Sequence, residues 1–251
     1  MGVLEVCVGD IQGLRAAEAG GADRIELCGA LALGGLTPPE SLVRAAAGVP
    51  VPVHMLARPR EGDFIYSSGD VALVARDIAL AAEAGFAGVV IGANCADRSL
   101  AREVLWGWIG HARSCGAARG RPLSLTLHRA FDLCPSQQEA LEDAVELGFD
   151  TVLTSGGVPR AADALGQLAL LCRQAAGRIA IMAGGGVDPG NVRSVLATGV
   201  AAVHASCRIA GGSWGAREEA LGFAAGDRRI TTPEAVFALK RMVQDHIKGN
   251  L

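Results

Sequence analysis

Short, nearly continuous apolar runs recur along the chain, each separated from the next by a stretch whose apolar positions return at helical spacing. The runs are VLEVCV (3–8), DRIELC (23–28), VPVHML (51–56), AGVVIG (87–92), PLSLTL (122–127), DTVLTS (150–155), RIAIMA (178–183) and AAVHAS (201–206). Between them lie amphipathic segments such as IQGLRAAEAG, DVALVARDIALAAEAG, SQQEALEDAVELG and GNVRSVLATG. All four end at Gly, the residue that most readily takes the backbone conformation that stops a helix. Strands buried on both faces read as unbroken apolar runs, and parallel strands need helical crossovers. The alternation therefore predicts a parallel α/β fold, and eight such units predict a TIM (β/α)8 barrel in a single domain. A doubly wound sheet is the rival, but the segment after the first run, VGDIQG, lacks the G-x-G-x-x-G turn.

The barrel is expected over residues 1–206. Residues 207–251 are expected to form a Gly-rich loop and a C-terminal helix packed on the same domain. Thr232 is positioned to cap that helix, with Pro233 in its first turn. In GGLTPPE (34–40), Thr37, Pro38 and Glu40 have the spacing of a capping box.

Half of the 251 residues are hydrophobic and 20% are charged, enough to fill a substantial core. A net charge of −3 with no basic face argues against a nucleic-acid partner. No run is long and apolar enough for a bilayer, so no membrane partner is expected. MGVLEVCVGD lacks a secretory h-region, and MGVLEV lacks the hydroxyl residue needed for myristoylation. The expectation is a soluble, cytoplasmic protein. The seven cysteines contain no CxxC, which favours reduced thiols over a disulfide framework or a zinc knuckle. No organic cofactor is expected.

Candidate chemistry enters through the polar residues inside these runs. Residues two apart on a strand share a face, so Glu5 points with Cys7 and Glu26 with Cys28. If those faces look into the barrel, two carboxylates and two thiols meet in one volume, where carboxylates need cations or hydrogen bonds. The later runs deliver partners at their C-terminal ends: His54, Arg58, Arg60 and Asp63; His128, Arg129 and Asp132; Thr154 and Ser155; Gly184, Gly185 and Gly186; His204, Ser206 and Arg208. That end of a TIM barrel is where active sites are built.

At these residues the chain resembles the CutC copper homeostasis family. LEVC, GGADRIELC, GGLTP, RPREGDF, LHRAFD, LTSGG, IMAGGGV and VHAS follow that family's motifs in order, from Leu4 to about Ser206. The chain departs from the pattern after the fourth run, at GANCADRSLAREV, and beyond Ser206. The resemblance implies a TIM barrel, a cytoplasmic location, self-association as a dimer or tetramer, and Cu(I) handling through Cys7 and Cys28.

Three readings follow. Cys7 and Cys28 are either small buried hydrophobes or a two-thiolate site suited to a soft ion such as Cu(I). The carboxylate, arginine and histidine set is either a group of structural ion pairs or the machinery of a lyase, isomerase or hydrolase acting on a small anionic or phosphorylated metabolite. In that case Glu26, His128 and Asp132 would do acid–base work. Arg58 and Arg129 would hold the anion with Gly185, Gly186 and Ser206, in the region where barrels often bind phosphate. A purely structural role is the third reading.

Overall fold

A computed structural model describes residues 2–224 and 226–249. The termini of the two expected regions, Met1, Asn250 and Leu251, lie outside the described residues. Eight parallel strands close into a barrel in sequence order: β1 Val3–Val8, β2 Arg24–Leu27, β3 Val53–Leu56, β4 Gly88–Ile91, β5 Ser124–Leu127, β6 Thr151–Thr154, β7 Ala180–Ala183 and β8 Ala202–Ala205. Each falls inside one of the eight apolar runs. Seven helices occupy the crossovers: α1 Ile11–Ala19, α2 Glu40–Ala46, α3 Ser68–Glu83, α4 Arg102–Ala118, α5 Gln137–Leu147, α6 Leu165–Ala175 and α7 Val192–Leu196. The fold is the TIM barrel that the alternation predicts.

The period of two sorts each strand into an outer and an inner set. The outer residues, including Leu4, Val6, Ile25, Leu27, Met55, Val89, Leu127, Val152 and Ile181, join the helices in one large core. The inner residues divide by height. Val3, Ala202, Met182 and Leu153 form an apolar plug that begins at the N-terminal end of β1. Cys7, Cys28, Leu56 and Val90 form a second small cluster. A band of buried polar residues, Glu5, Glu26, His54 and Thr126, shares the interior with them.

Two glycines on the β4 side let imidazoles lie against the wall. A Cβ at Gly88 would come within 2.8 Å of the His54 ring, and one at Gly92 within 2.5 Å of the His128 ring. No real Cβ tolerates such contacts, so glycine is what permits two histidines from neighbouring strands to turn inward.

The chain beyond β8 differs from the expected loop. It contains a small antiparallel pair, β9 Arg208–Ala210 with β10 Arg229–Thr231, and a short helix, α8 Ala216–Ala220. The final helix, α9 Pro233–Gly249, packs on α1, α7 and β1, with Thr232 Oγ1 accepting from the Ala235 amide as its cap. The capping box at Thr37 does not form. Pro39 precedes α2, and the Thr37 hydroxyl instead donates to Asp77 of α3 and accepts from the Arg58 amide. A half-buried carboxylate brought in by the tertiary fold outcompetes the local helix end. Among the described residues, no helix is long and apolar enough to cross a membrane.

Candidate functional site at the barrel mouth

The register of β8, β1 and β2 fixes the chemistry of one wall. Glu5 is the Cα partner of His204 on one side and of Arg24 on the other. Its two oxygens are used accordingly: Arg24 Nε donates to Oε2 at 2.5 Å, and His204 Nδ1 lies 2.7 Å from Oε1. Cys7 is the partner of Glu26, and Glu26 of His54. The Cys28 thiol donates to Glu26 Oε2 at 3.1 Å, and His204 Nε2 stands 3.7 Å from that same oxygen. The ligand atoms of Cys7, Glu26 and His204 all lie within 4.8 Å of one another.

Burial and neighbouring charge compete at each of these groups. Burial favours a neutral Glu5, but the His204 hydrogen bond and the Arg24 charge outweigh it and hold the carboxyl down to about 2. Burial keeps Glu26 above the usual carboxylate range, with His204 opposing and Glu5 adding to the rise. Burial, followed by the Glu26 charge, raises the Cys28 thiol well above its ordinary value. His204 goes the other way. Burial would lower it, but Cys7, Glu26 and Glu5 around the ring push it well above the ordinary imidazole value.

Cys7, Glu26 and His204 line a cavity of about 370 Å³ at the C-terminal mouth of the barrel. Across it lie His128, Arg129, Gly185 and Gly186, and the rim carries Arg58, Phe64, Ser206 and Arg208. The structure thus brings Cys7, Glu26, Arg58, His128, Arg129, Gly185, Gly186 and Ser206 to one space, as the sequence suggests. Cys28 and Asp132 do not line it. Cys28 is 1% exposed and packed in the interior cluster. Asp132 sits behind Arg129, where it accepts from Thr154, Ser155, Gly157 and Arg129. Its place is that of a brace between the turn after β5 and the end of β6.

Arg58 is also committed in part. Its guanidinium donates to the carbonyls of Leu33, Gly35 and Gly62 and lies 5.0 Å from the Phe64 ring centre. Phe64 in turn packs on His128 with ring centres 4.7 Å apart. His128 Nδ1 accepts from the Ala130 amide at 3.1 Å. Two groups gain importance beyond the sequence reading, His204 and Arg208. The alternation that turns Ser206 inward also turns His204 inward, so the signal was present in VHAS.

The donor set can be tested against a metal. His204 gives Nδ1 to the Glu5 carboxylate and leaves Nε2 toward Cys7 and Glu26, the arrangement in which a carboxylate orients a metal-binding imidazole. A sulfur and an imidazole nitrogen at this spacing suit a soft or borderline ion.

A family model described as the CutC family matches residues 2–209. A CutC family protein from Sinorhizobium medicae (strain WSM419) is 47% identical over 239 residues, covering 95% of this chain and 94% of the relative. A CutC family protein from Vibrio cholerae (strain O395) is 44% identical over 207 residues, covering 82% and 79%. The solved structure of CutC from Streptococcus agalactiae, whose name ties it to copper homeostasis, superimposes with a TM-score of 0.75 at 27% identity. It covers 82% of this chain and 99% of its own.

Proposed function

The chain belongs to the CutC family, and from that premise we propose that it acts in copper homeostasis by binding Cu(I) at the barrel mouth. Cys7 is the principal ligand in this reading. The carrying observation is the convergence of Cys7, Glu26 and His204 within 4.8 Å at the edge of an open cavity. Cu(I) favours sulfur and accepts few ligands, so Cys7 with His204, or Cys7 with Cys28, satisfies it. Glu26 is too hard an oxygen to add much affinity. It is placed instead to take the proton that Cys28 must lose, since it already accepts that proton's hydrogen bond. The reading extends to a cytoplasmic location, where reduced thiols persist, and to a dimer or tetramer, which sedimentation measures.

The test is an anaerobic Cu(I) titration of the reduced protein against a competing chelator. Cys7→Ser is expected to weaken binding by more than ~100-fold, and Cys28→Ser and His204→Gln by ~10–100-fold each. Arg58→Ala should leave it unchanged. Affinity that survives Cys7→Ser would end the copper reading.

A second reading is a barrel enzyme acting on a small anionic or phosphorylated metabolite. What favours it is the lining itself: three arginines, Arg58, Arg129 and Arg208, face a cavity that also holds Glu26 and His128. In that reading Glu26 is the acid–base residue and the arginines hold the anion. Asp132 contributes by fixing Arg129 through a 2.7 Å ion pair.

A further inference from the structure

The His128 ring is held in one orientation and one tautomer by the backbone around it. It is 4% exposed, lines the mouth cavity, and is walled by Gly92, where even a methyl group would clash. Its Nδ1 accepts from the Ala130 N–H, so Nδ1 carries a lone pair and not a proton. In the neutral ring the proton then sits on Nε2. That Nε2 is buried and has no hydrogen-bond partner among the described residues. A buried donor without an acceptor is costly and marks a place where something else accepts.

The next residue supplies charge. Arg129 also lines the cavity, with its side chain 41% exposed. Its guanidinium is aimed by Asp132 at 2.7 Å and by the Ser155 hydroxyl at 2.7 Å. Gly185 lies close by: a Cβ there would stand 3.7 Å from Arg129 Cζ, in ordinary van der Waals contact with the guanidinium. Arg208, on β9, completes the cationic lining, and its buried Nε likewise has no partner among the described residues.

We propose that the mouth cavity contains an oxyanion subsite for a small carboxylate- or phosphate-bearing molecule, with His128 Nε2–H and the Arg129 guanidinium as its donors. This rests on the second reading above and deepens it. It also changes the part played by His128. Its Nδ1 is occupied by a backbone amide and its Nε2 holds the proton, so the ring donates a hydrogen bond and does not abstract a proton. Burial, reinforced by the Arg58 charge, holds its pKa down to about 3, which keeps the donor neutral throughout the physiological range. A neutral imidazole of this kind polarises a carbonyl or phosphoryl oxygen without surrendering its proton.

The test uses the full chain labelled with ¹⁵N-histidine, whose five imidazoles are resolved by long-range proton–nitrogen correlation. Without ligand, His128 is expected as the Nε2–H tautomer at neutral pH. Inorganic phosphate and oxalate are then titrated separately, reading the His128 Nε2–H resonance and the dissociation constant. Saturable movement of that resonance supports the subsite, and whichever probe binds more tightly identifies the phosphate or the carboxylate source. His128→Ala should weaken that probe by about tenfold or more, with partial recovery in His128→Gln, which restores a donor. A His128 found as the Nδ1–H tautomer overturns the inference on the wild-type protein alone, whatever the variants do. Binding lost in Arg129→Ala but unchanged in His128→Ala overturns the role of His128 while leaving the anionic-ligand reading standing. Absence of binding by either probe ends both.

Discussion

On the β8–β1–β2 side of the barrel, His204 sits between two carboxylates. On the β4–β5 side, His128 sits between a glycine, a phenylalanine ring and a backbone amide. Both imidazoles are at the C-terminal ends of strands and both line the same cavity. Burial lowers both, yet His204 ends well above the ordinary value and His128 at about 3. The difference lies in what each ring's nitrogens meet. The Glu5 carboxylate accepts a hydrogen bond from His204 Nδ1 and Glu26 stands 3.7 Å from its Nε2, so both favour the protonated ring, whereas the Ala130 amide already occupies the basic nitrogen of His128. Residue type and depth therefore do not set protonation in this barrel; the strand register that chooses the partner does.

The largest effect should come from breaking the charged wall. Glu5 is fully buried and serves both Arg24 and His204. Glu5→Ala leaves a guanidinium and an imidazolium side by side without the carboxylate they share, which costs about 3–5 kcal/mol. Denaturant unfolding at neutral pH measures it. Glu5→Gln should retain part of the stability, because an amide oxygen still accepts from Arg24. A Glu5→Ala protein within about 1 kcal/mol of the parent would mean that the wall is loosely hydrated and that the contrast between the two histidines is overstated.

On the opposite wall the controlling feature is space. Gly92→Ala would place a methyl 2.5 Å from His128 Cε1 and Nδ1, with Ala130 Cβ at 3.1 Å. The ring must rotate or the strand must shift, for a loss of about 1–3 kcal/mol. The sharper readout is the His128 ring itself, whose Nδ1 should lose the signature of an accepted backbone hydrogen bond. Unchanged nitrogen shifts in Gly92→Ala would show that the amide alone fixes the tautomer.

Much of this arrangement was legible in the sequence, and the limits of legibility have a physical cause. Parallel strands buried on both faces leave unbroken apolar runs, so all eight strands could be read. The period of two then paired Glu5 with Cys7 and Glu26 with Cys28, and the structure has both pairs on interior faces. What a single strand cannot encode is the stagger between strands. That stagger sets Cys7 opposite Glu26 rather than opposite Cys28, so the thiol nearest Cys7's ligand set is replaced by His204 of β8. Long-range competition is equally hidden. Thr37 has the spacing of a helix cap but is drawn to Asp77 of α3, and Asp132 follows His128 closely in sequence yet is drawn aside to the end of β6. The Gly-rich stretch after β8 read as a loop because its hairpin strands, Arg208–Ala210 and Arg229–Thr231, are three residues each and lack an apolar run.

The smallest effect separates the two walls by the sign of their pH dependence. His128 has a folded pKa near 3 against an ordinary value of 6.5, so the unfolded chain takes up a proton that the folded chain refuses. Stability attributable to this residue is intact above pH 6.5 and falls as the pH drops toward 3. By about pH 5.5 the loss is about 1.4 kcal/mol. His54, held near 4 by burial, adds a parallel loss over the range from 6.5 down to 4. His204 has the opposite sign. Its raised pKa stabilises the fold below pH 6.5, and that contribution disappears only as the pH climbs through the raised value. Glu5, lowered to about 2, adds stability above pH 4.5 that is lost only as the pH falls toward 2. Between about pH 7 and 5.5, replacing His128 by Gln should therefore flatten the decline in unfolding free energy by about 0.6 of a proton's worth of slope, and replacing His204 by Gln should steepen it. Equal slopes in the two variants would mean that the imidazoles share one environment after all.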